Sequence, residues 1–181
     1  MTARPERGVL RWARQVASPN CDARPAGIEV TLAVLHSISL PPGEYGGDAI
    51  ERLFTNRLDP DAHPYFRDVA GMKVSAHFLV RRDGSVVQFV PLQRRAWHAG
   101  ASSWRGRERC NDFSVGIELE GLDDAPFDEP QYSALERLLK AIRRILPIRD
   151  VAAHSDVAPG RKTDPGVHFD WARALGALAR R

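Results

Sequence analysis

The sequence predicts a sheet with helices packed on it, an α/β or α+β sandwich. Three observations carry that expectation. Val74 to Val80 and Phe113 to Glu120 alternate with the two-residue period of a strand. Ile28 to Leu35 is a run of β-branched and aliphatic residues suited to a buried strand. Leu135, Leu138, Leu139, Ile142, Ile145 and Leu146 recur at the three-and-four spacing of a helix. At 181 residues, with no repeat, low-complexity tract or long Pro/Gly/Ser linker, the chain is expected to form one domain over residues 1–181.

Taken in order, the strand from Ile28 ends at Leu35, so His36 stands at a strand's end. Pro41-Pro42-Gly43 begins a loop, and Asp48 suits the cap of a helix whose Ile50, Leu53, Phe54 and Leu58 share one face before Asp59-Pro60 stops it. From Val74, the residues Val74, Ala76, Phe78 and Val80 line one face and Ser75, His77 and Leu79 the other. Asp83-Gly84 turns tightly into a second strand, Ser85 to Val90. Trp97 to Asp112 is rich in Gly, Ser and Arg without periodicity and reads as a long surface loop. Beyond it, Val115, Ile117 and Leu119 face one way while Ser114, Gly116, Glu118 and Glu120 face the other, so two carboxylates share a face. A helix follows from Pro130 to Leu146, where Pro147 ends it. A short strand, Ile148 to Ala153, delivers His154 into a loop built from Pro159-Gly160 and Asp164-Pro165-Gly166, and Asp170 caps a final helix through Leu178.

Composition narrows the function. Twenty-six Lys and Arg against 23 Asp and Glu leave a net charge of +3, with the basic pairs Arg81-Arg82, Arg94-Arg95 and Arg143-Arg144 each set among acids or apolar residues. No run follows a phosphate backbone, so no nucleic-acid partner is expected. Cys21 and Cys110 make no disulfide framework and are expected as free thiols. Met1 to Trp12 contains no apolar core of an export signal, and no apolar stretch approaches the ~18 residues of a bilayer span. The expectation is a cytoplasmic protein with no membrane partner.

Chemistry centres on the histidines. His36 and His154 each end an expected strand, where rigid elements hold side chains at the sheet's edge, and the proline after Asp164 stiffens that residue's turn. Two imidazoles and a carboxylate form a three-ligand zinc set with the fourth position open, the arrangement of a catalytic site, although the donor types also admit iron or manganese. A hydrolytic site needs a base and a cation for the developing oxyanion. Glu118 and Glu120 both qualify as the base, and Lys162, two residues before Asp164, as the cation.

Five segments, 34–47, 74–77, 95–100, 106–121 and 154–166, then carry a resemblance. Val34-Leu-His-Ser, Val74-Ser-Ala-His, Arg95-Ala-Trp-His-Ala-Gly, Ser114-Val-Gly-Ile-Glu-Leu-Glu-Gly and His154-Ser-Asp-Val-Ala-Pro-Gly-Arg-Lys-Thr-Asp-Pro-Gly closely resemble, in order and at similar intervals, the zinc amidases that act on anhydro-muropeptides in the bacterial cytoplasm. These are relatives of amidase-type phage lysozymes and of the peptidoglycan recognition proteins. The resemblance implies a mixed central sheet flanked by helices and one Zn2+ per chain. It implies His36, His154 and Asp164 as ligands, Glu118 as general base and Lys162 as the oxyanion's partner. It further implies hydrolysis of the amide between 1,6-anhydro-N-acetylmuramic acid and L-alanine during peptidoglycan recycling, which limits the muropeptide signals that induce AmpC-type β-lactamase. The family usually has Asn where this chain has Ser37, so a substrate contact there is expected to differ.

The remaining candidates concern the substrate, expected to be a small molecule met by a monomer. Trp97 and Trp104 flank the long loop and suit stacking on a sugar, while Lys73, Arg107 and Arg109 suit pairing with peptide carboxylates. Ser37, Lys73, Trp97 and Arg109 are the expected substrate contacts. His63, His77, His98 and His168 are taken as structural, with His98 close to the expected groove, and Cys110 as a packed thiol. Two other readings are a non-catalytic peptidoglycan-binding module, against which the complete ligand set argues, and a wall-acting autolysin or endolysin amidase, which the missing export signal disfavours.

Overall fold

A computed structural model describes residues 8–179, with side chains to residue 176. Residues 1–7, the start of the segment read for an export signal, lie outside them. In chain order the elements are β1 (Arg14–Gln15), β2 (Cys21–Ala23), β3 (Leu32–Ile38), α1 (Ala49–Phe54), α2 (Phe66–Val69), β4 (Phe78–Val80), β5 (Val86–Gln88), β6 (Arg94–Ala96), β7 (Ser103–Trp104), β8 (Arg107–Glu108), a 3₁₀ turn (Cys110–Phe113), β9 (Ser114–Glu120), α3 (Glu129–Arg143), β10 (Asp150–Ala153), α4 (His154–Val157) and α5 (Trp171–Ala179).

Six strands form a mixed sheet in the order β1-β5-β4-β9-β3-β10, antiparallel only between β4 and β5. The three-and-four apolar stripe of α3 decides which face it covers: Leu135, Leu138, Leu139 and Ile142 pack against Ala33, Leu35, Phe78, Val80, Val115, Ile117 and Leu119. The opposite face is covered in two parts. Ile50, Leu53 and Phe54 of α1 pack on Leu79, Val87 and Phe89, while Ala99, Cys110 and Phe113 pack on Leu32, Val34 and Ala152. Cys21 and Cys110 are free thiols, the second fully buried. Among the described residues no helix is long and apolar enough to cross a membrane.

The sheet departs from the sequence reading at several edges. The first long strand starts at Leu32, because Ile28 is held in a turn by the Pro25 carbonyl, and it continues past His36 to Ile38. His36 thus stands inside a ladder. Val74 to His77 is extended, but the Ser75 amide bonds to the Trp97 carbonyl and the His77 amide to the Gly116 carbonyl, so the ladder begins only at Phe78. Asp48 does not cap α1 with its side chain; its carboxylate instead takes the Arg52 guanidinium at 2.7 Å. The long loop contains the β7–β8 hairpin, turned through Arg105 and Gly106 at φ 48° and 78°. Two consecutive left-handed residues are what a tight hairpin turn requires. The expected cap of the last helix holds, Asp170 Oδ1 accepting the Ala172 and Arg173 amides; α3, expected from Pro130 to Leu146, runs from Glu129 to Arg143 behind a capping box in which the Asp128 amide donates to Gln131 Oε1 at 3.0 Å.

Candidate functional site

Sheet register assembles the site. In the parallel ladders β10–β3–β9, Ala152 pairs with Val34 and Val34 with Gly116, while His36 pairs with Glu118. Register partners in a ladder project from the same face, so His36 and Glu118 emerge side by side on the face opposite α3. Ala153 pairs with Leu35, which brings the next residue, His154 at the start of α4, level with His36. Asp164 arrives from the following loop, whose backbone is tied back by the Ser155 amide donating to the Asp164 carbonyl at 3.1 Å.

Three ligand atoms meet there. His36 Nδ1 lies 2.9 Å from His154 Nδ1 and 3.2 Å from Asp164 Oδ2, and His154 Nδ1 lies 3.1 Å from Asp164 Oδ2. All three residues are buried. His154 Nε2 is 3.3 Å from the Ala99 carbonyl, which can only accept, so a ring that gives its Nδ1 lone pair to an ion has a partner there for its one N–H. A tetrahedral zinc with bonds of about 2.0–2.1 Å holds ligand atoms about 3.3 Å apart, so the triangle fits such an ion with shifts of a few tenths of an ångström. The two-imidazole, one-carboxylate set fits zinc in chemistry as well.

The electrostatics match a cation site with a poised acid. Burial lowers the His36 pKa to about 4, keeping its imidazole neutral and available as a donor. Burial pushes Asp164 up, but hydrogen bonds to His154 and His36 outweigh it and hold the carboxylate ionised. Glu118 moves the opposite way: burial first, then the Asp164 charge, raise its pKa well above the ordinary value, against the pull of Lys162. Its Oε2 is buried without a hydrogen-bond partner. Natural proteins seldom leave such an atom orphaned except where a ligand or water is needed.

Residues 26–167 match the family described as N-acetylmuramoyl-L-alanine amidase. The chain belongs to that amidase family. It is 54% identical over 170 residues, 93% of each chain, to the 1,6-anhydro-N-acetylmuramyl-L-alanine amidase AmpD of Escherichia coli. A crystal structure of a selenomethionine AmpD derivative covers 95% of this chain and 97% of its own at 52% identity and TM-score 0.91. A complex of the E. coli N-acetylmuramyl-L-alanine amidase AmiD with the substrate anhydro-N-acetylmuramic acid-L-Ala-D-γ-Glu-L-Lys covers 93% of this chain and 61% of that one, at 32% identity and TM-score 0.60.

Within this amidase, the two candidate bases separate. Glu120 Oε1 accepts from Arg81 Nη1 and from the Gly46 amide, both at 2.8 Å, and its Oε2 accepts from the Arg82 amide at 3.2 Å. Glu120 is a structural anchor, and Glu118 is the carboxyl left free. A cleft of about 560 Å³ beside the Glu120 end of β9 is lined by Tyr45, Glu51, Arg81 and Glu120 among others. The metal triangle does not line it, and Glu51, Arg81 and Glu120 are already paired with one another.

Lys162 is exposed, and its charge acts on both His36 and Glu118. Ser37 donates its hydroxyl to Asp123 Oδ1 at 2.5 Å, and Thr163 donates to Asp123 Oδ2, so Asp123 ties the end of β3 to the loop that carries Asp164. Lys73 is exposed, Trp97 is half-buried, and Arg109 is exposed with its guanidinium 3.3 Å from Asp112. Trp104 is spent on the core margin and donates Nε1–H to Asp150, and Arg107 lies over the Phe113 ring at 3.8 Å. Sequence reasoning missed two participants, Asp123 and His98. Nothing in periodicity marks Asp123. His98 had one signal, its position at the margin of the expected groove.

Proposed function

We propose that this chain is a single-domain zinc amidase that cleaves the amide between 1,6-anhydro-N-acetylmuramic acid and the L-alanine of anhydro-muropeptides. The observation that carries the reading is the buried triangle of His36, His154 and Asp164 with the orphaned Glu118 carboxyl in register beside it. His36, His154 and Asp164 would hold one Zn2+ per chain. When bound, the ion supplies a Lewis acid that lowers the pKa of a coordinated water and polarises the scissile carbonyl.

The chain's own residues then divide the work. Glu118 takes the proton from the attacking water at its unpartnered Oε2 and returns it to the leaving L-alanine nitrogen, a role that suits a carboxyl whose burial raises its pKa above the ordinary range and so strengthens it as a base. Lys162 offers its ammonium to the carbonyl oxygen as that oxygen gains charge. Lys73 and Arg109 serve the carboxylates of the stem peptide and Trp97 the sugar, while Ser37, its proton given to Asp123, meets substrate as an acceptor.

The near full-length likeness to an anhydro-muramyl-L-alanine amidase supports the substrate; to the same proposal belong a cytoplasmic recycling role that limits the muropeptide signals inducing AmpC-type β-lactamase, and a monomer needing neither nucleic acid nor membrane. The test pairs metal analysis with turnover. Purified protein is expected to hold about one zinc per chain and to release free peptide from anhydro-muramyl-peptide faster than it acts on intact sacculi. Full activity in metal-free protein, or a preference for sacculi, would overturn the assignment.

A further inference from the structure

His98 stands at the centre of the histidine cluster without being a ligand. Its Nδ1 lies 2.9 Å from His36 Nε2 and its Nε2 lies 3.1 Å from Ser114 Oγ. The ring meets His36 edge-on, with centroids 5.0 Å apart at 87°. It reaches this place because Ser114, Gly116 and Glu118 are alternate residues on one face of β9. A Cβ built at Gly116 would fall 2.4 Å from His98 Cγ, so only glycine leaves room for the ring. The backbone is pinned too: the amides of His98 and Ala99 both donate to Asn111 Oδ1, at 3.2 and 2.9 Å.

We propose that His98 is a positioning residue for the metal centre, accepting the His36 Nε2–H so that His36 turns a bare Nδ1 toward the ion. The inference rests on the zinc-site reading above and deepens it. A neutral imidazole carries one N–H. If His36 gives its Nδ1 lone pair to a metal, its proton sits on Nε2, and His98 Nδ1 must accept it. His98 then carries its own proton on Nε2 and donates to Ser114 Oγ. The opposite ordering, starting from the Ser114 hydroxyl, would put a proton on His36 Nδ1, inside the ligand triangle. The neighbouring Ala99 carbonyl performs the same service for His154. One dipeptide, fastened by Asn111, thus orients both imidazoles, and such outer partners fix the tautomer and raise the basicity of metal-ligating histidine.

The experiment compares His98→Phe, which keeps a ring but has no acceptor, with His98→Asn, which returns an amide oxygen near the Nδ1 position. Zinc affinity is read by competition with a chromophoric chelator, and ring protonation by ¹⁵N NMR of the zinc-loaded protein. His98→Phe is expected to lose about 10–100-fold in affinity, with His98→Asn recovering most of that loss. In the wild type, His36 should be protonated at Nε2 and His98 at Nε2. A His98→Phe affinity within about twofold of wild type, or a proton on His98 Nδ1 in the loaded protein, would overturn the proposal. Should His98→Phe fail to fold, Ser114→Ala removes the terminal acceptor while leaving the ring, and unchanged His98 ¹⁵N shifts there would equally overturn it. A wild type that binds no zinc would instead overturn the metal-site reading itself, so the two failures are distinct.

Discussion

Replacing Glu118 with Gln should separate catalysis from folding. The carboxyl is buried, its Oε2 has no partner, and burial with the nearby Asp164 charge raises its pKa well above 4.5. Gln keeps the volume and removes the proton acceptor. Loss of a general base costs about 10²–10⁴ in turnover, or roughly 2.7–5.4 kcal/mol at about 1.36 kcal/mol per decade. Stability should move the other way. Because the folded pKa is raised, the folded protein keeps a proton that the unfolded chain has released, so wild-type stability falls as pH rises from about 4.5 toward the folded pKa. The limiting slope is about 1.4 kcal/mol per pH unit, and Glu118→Gln lacks it. The assay is peptide release from anhydro-muramyl-peptide by zinc-loaded enzyme, with urea unfolding of metal-free protein at pH 5 and pH 8. Expected are a near-inactive variant that retains zinc and a stability advantage over wild type that widens with pH. Turnover within tenfold of wild type, or an advantage that shrinks with rising pH, would refute the argument.

Four further outcomes are expected. Glu120→Ala should lower stability by roughly 3 kcal/mol, the low end for a broken buried pair because Glu51 still holds Arg81, yet leave turnover per folded molecule within a few-fold, as unfolding and kinetics together would show. Gly116→Ala should cost about 1–3 kcal/mol by overpacking against His98, read as a lowered unfolding midpoint, with weaker zinc retention. Asp123→Ala removes the acceptor of both the Ser37 and Thr163 hydroxyls and should cost about 1–3 kcal/mol while speeding zinc loss to a chelator, since Thr163 adjoins the ligand Asp164. Stripping the metal should abolish hydrolysis reversibly; restoring zinc at about a thousand times its Kd should add about 4 kcal/mol of stability, seen as a rise in melting temperature.

The parts of the fold that sequence made legible are those set by periodicity. The α3 stripe and the β9 alternation follow from apolar spacing, and the Asp83-Gly84 turn from the left-handed backbone at Gly84, φ 81°. What was not legible depends on partners distant in the chain. Strand length at β3 is set by Leu119 and Glu120, which extend its ladder past His36, and Glu120 could be told from Glu118 only once Arg81 was seen to occupy it. The short strands β1, β2 and β6 have no pattern of their own because two or three residues are too few to show a period. Of the His36, His154 and Asp164 triangle, the imidazoles were legible because histidine is scarce and each follows an apolar strand run, whereas Asp164 is one of 23 acidic residues and was marked only by its proline and its neighbours. The layer behind it was not, because Asn111, Ser114 and Asp123 are ordinary polar residues until their neighbours are known.

The position of His36 inside a ladder, rather than at its end, bears on how the site works. A strand-end residue inherits the freedom of the loop that follows, whereas His36 is flanked on one side by β9 in full register through Ile38 and on the other by β10 up to Leu35. Its backbone is fixed before any ion arrives, and His98 fixes the ring. Asp164 has no ladder; its geometry depends on the Ser155 amide and on Thr163 held by Asp123. The triangle is therefore rigid at two corners and tethered at the third. Ser37, where the resemblance leads one to expect Asn, gives its hydroxyl to that tether, so its identity bears on the third corner rather than on the imidazoles. Any difference in metal retention between this chain and relatives with Asn should accordingly trace to the Asp164 loop, while the two histidines hold their places in both.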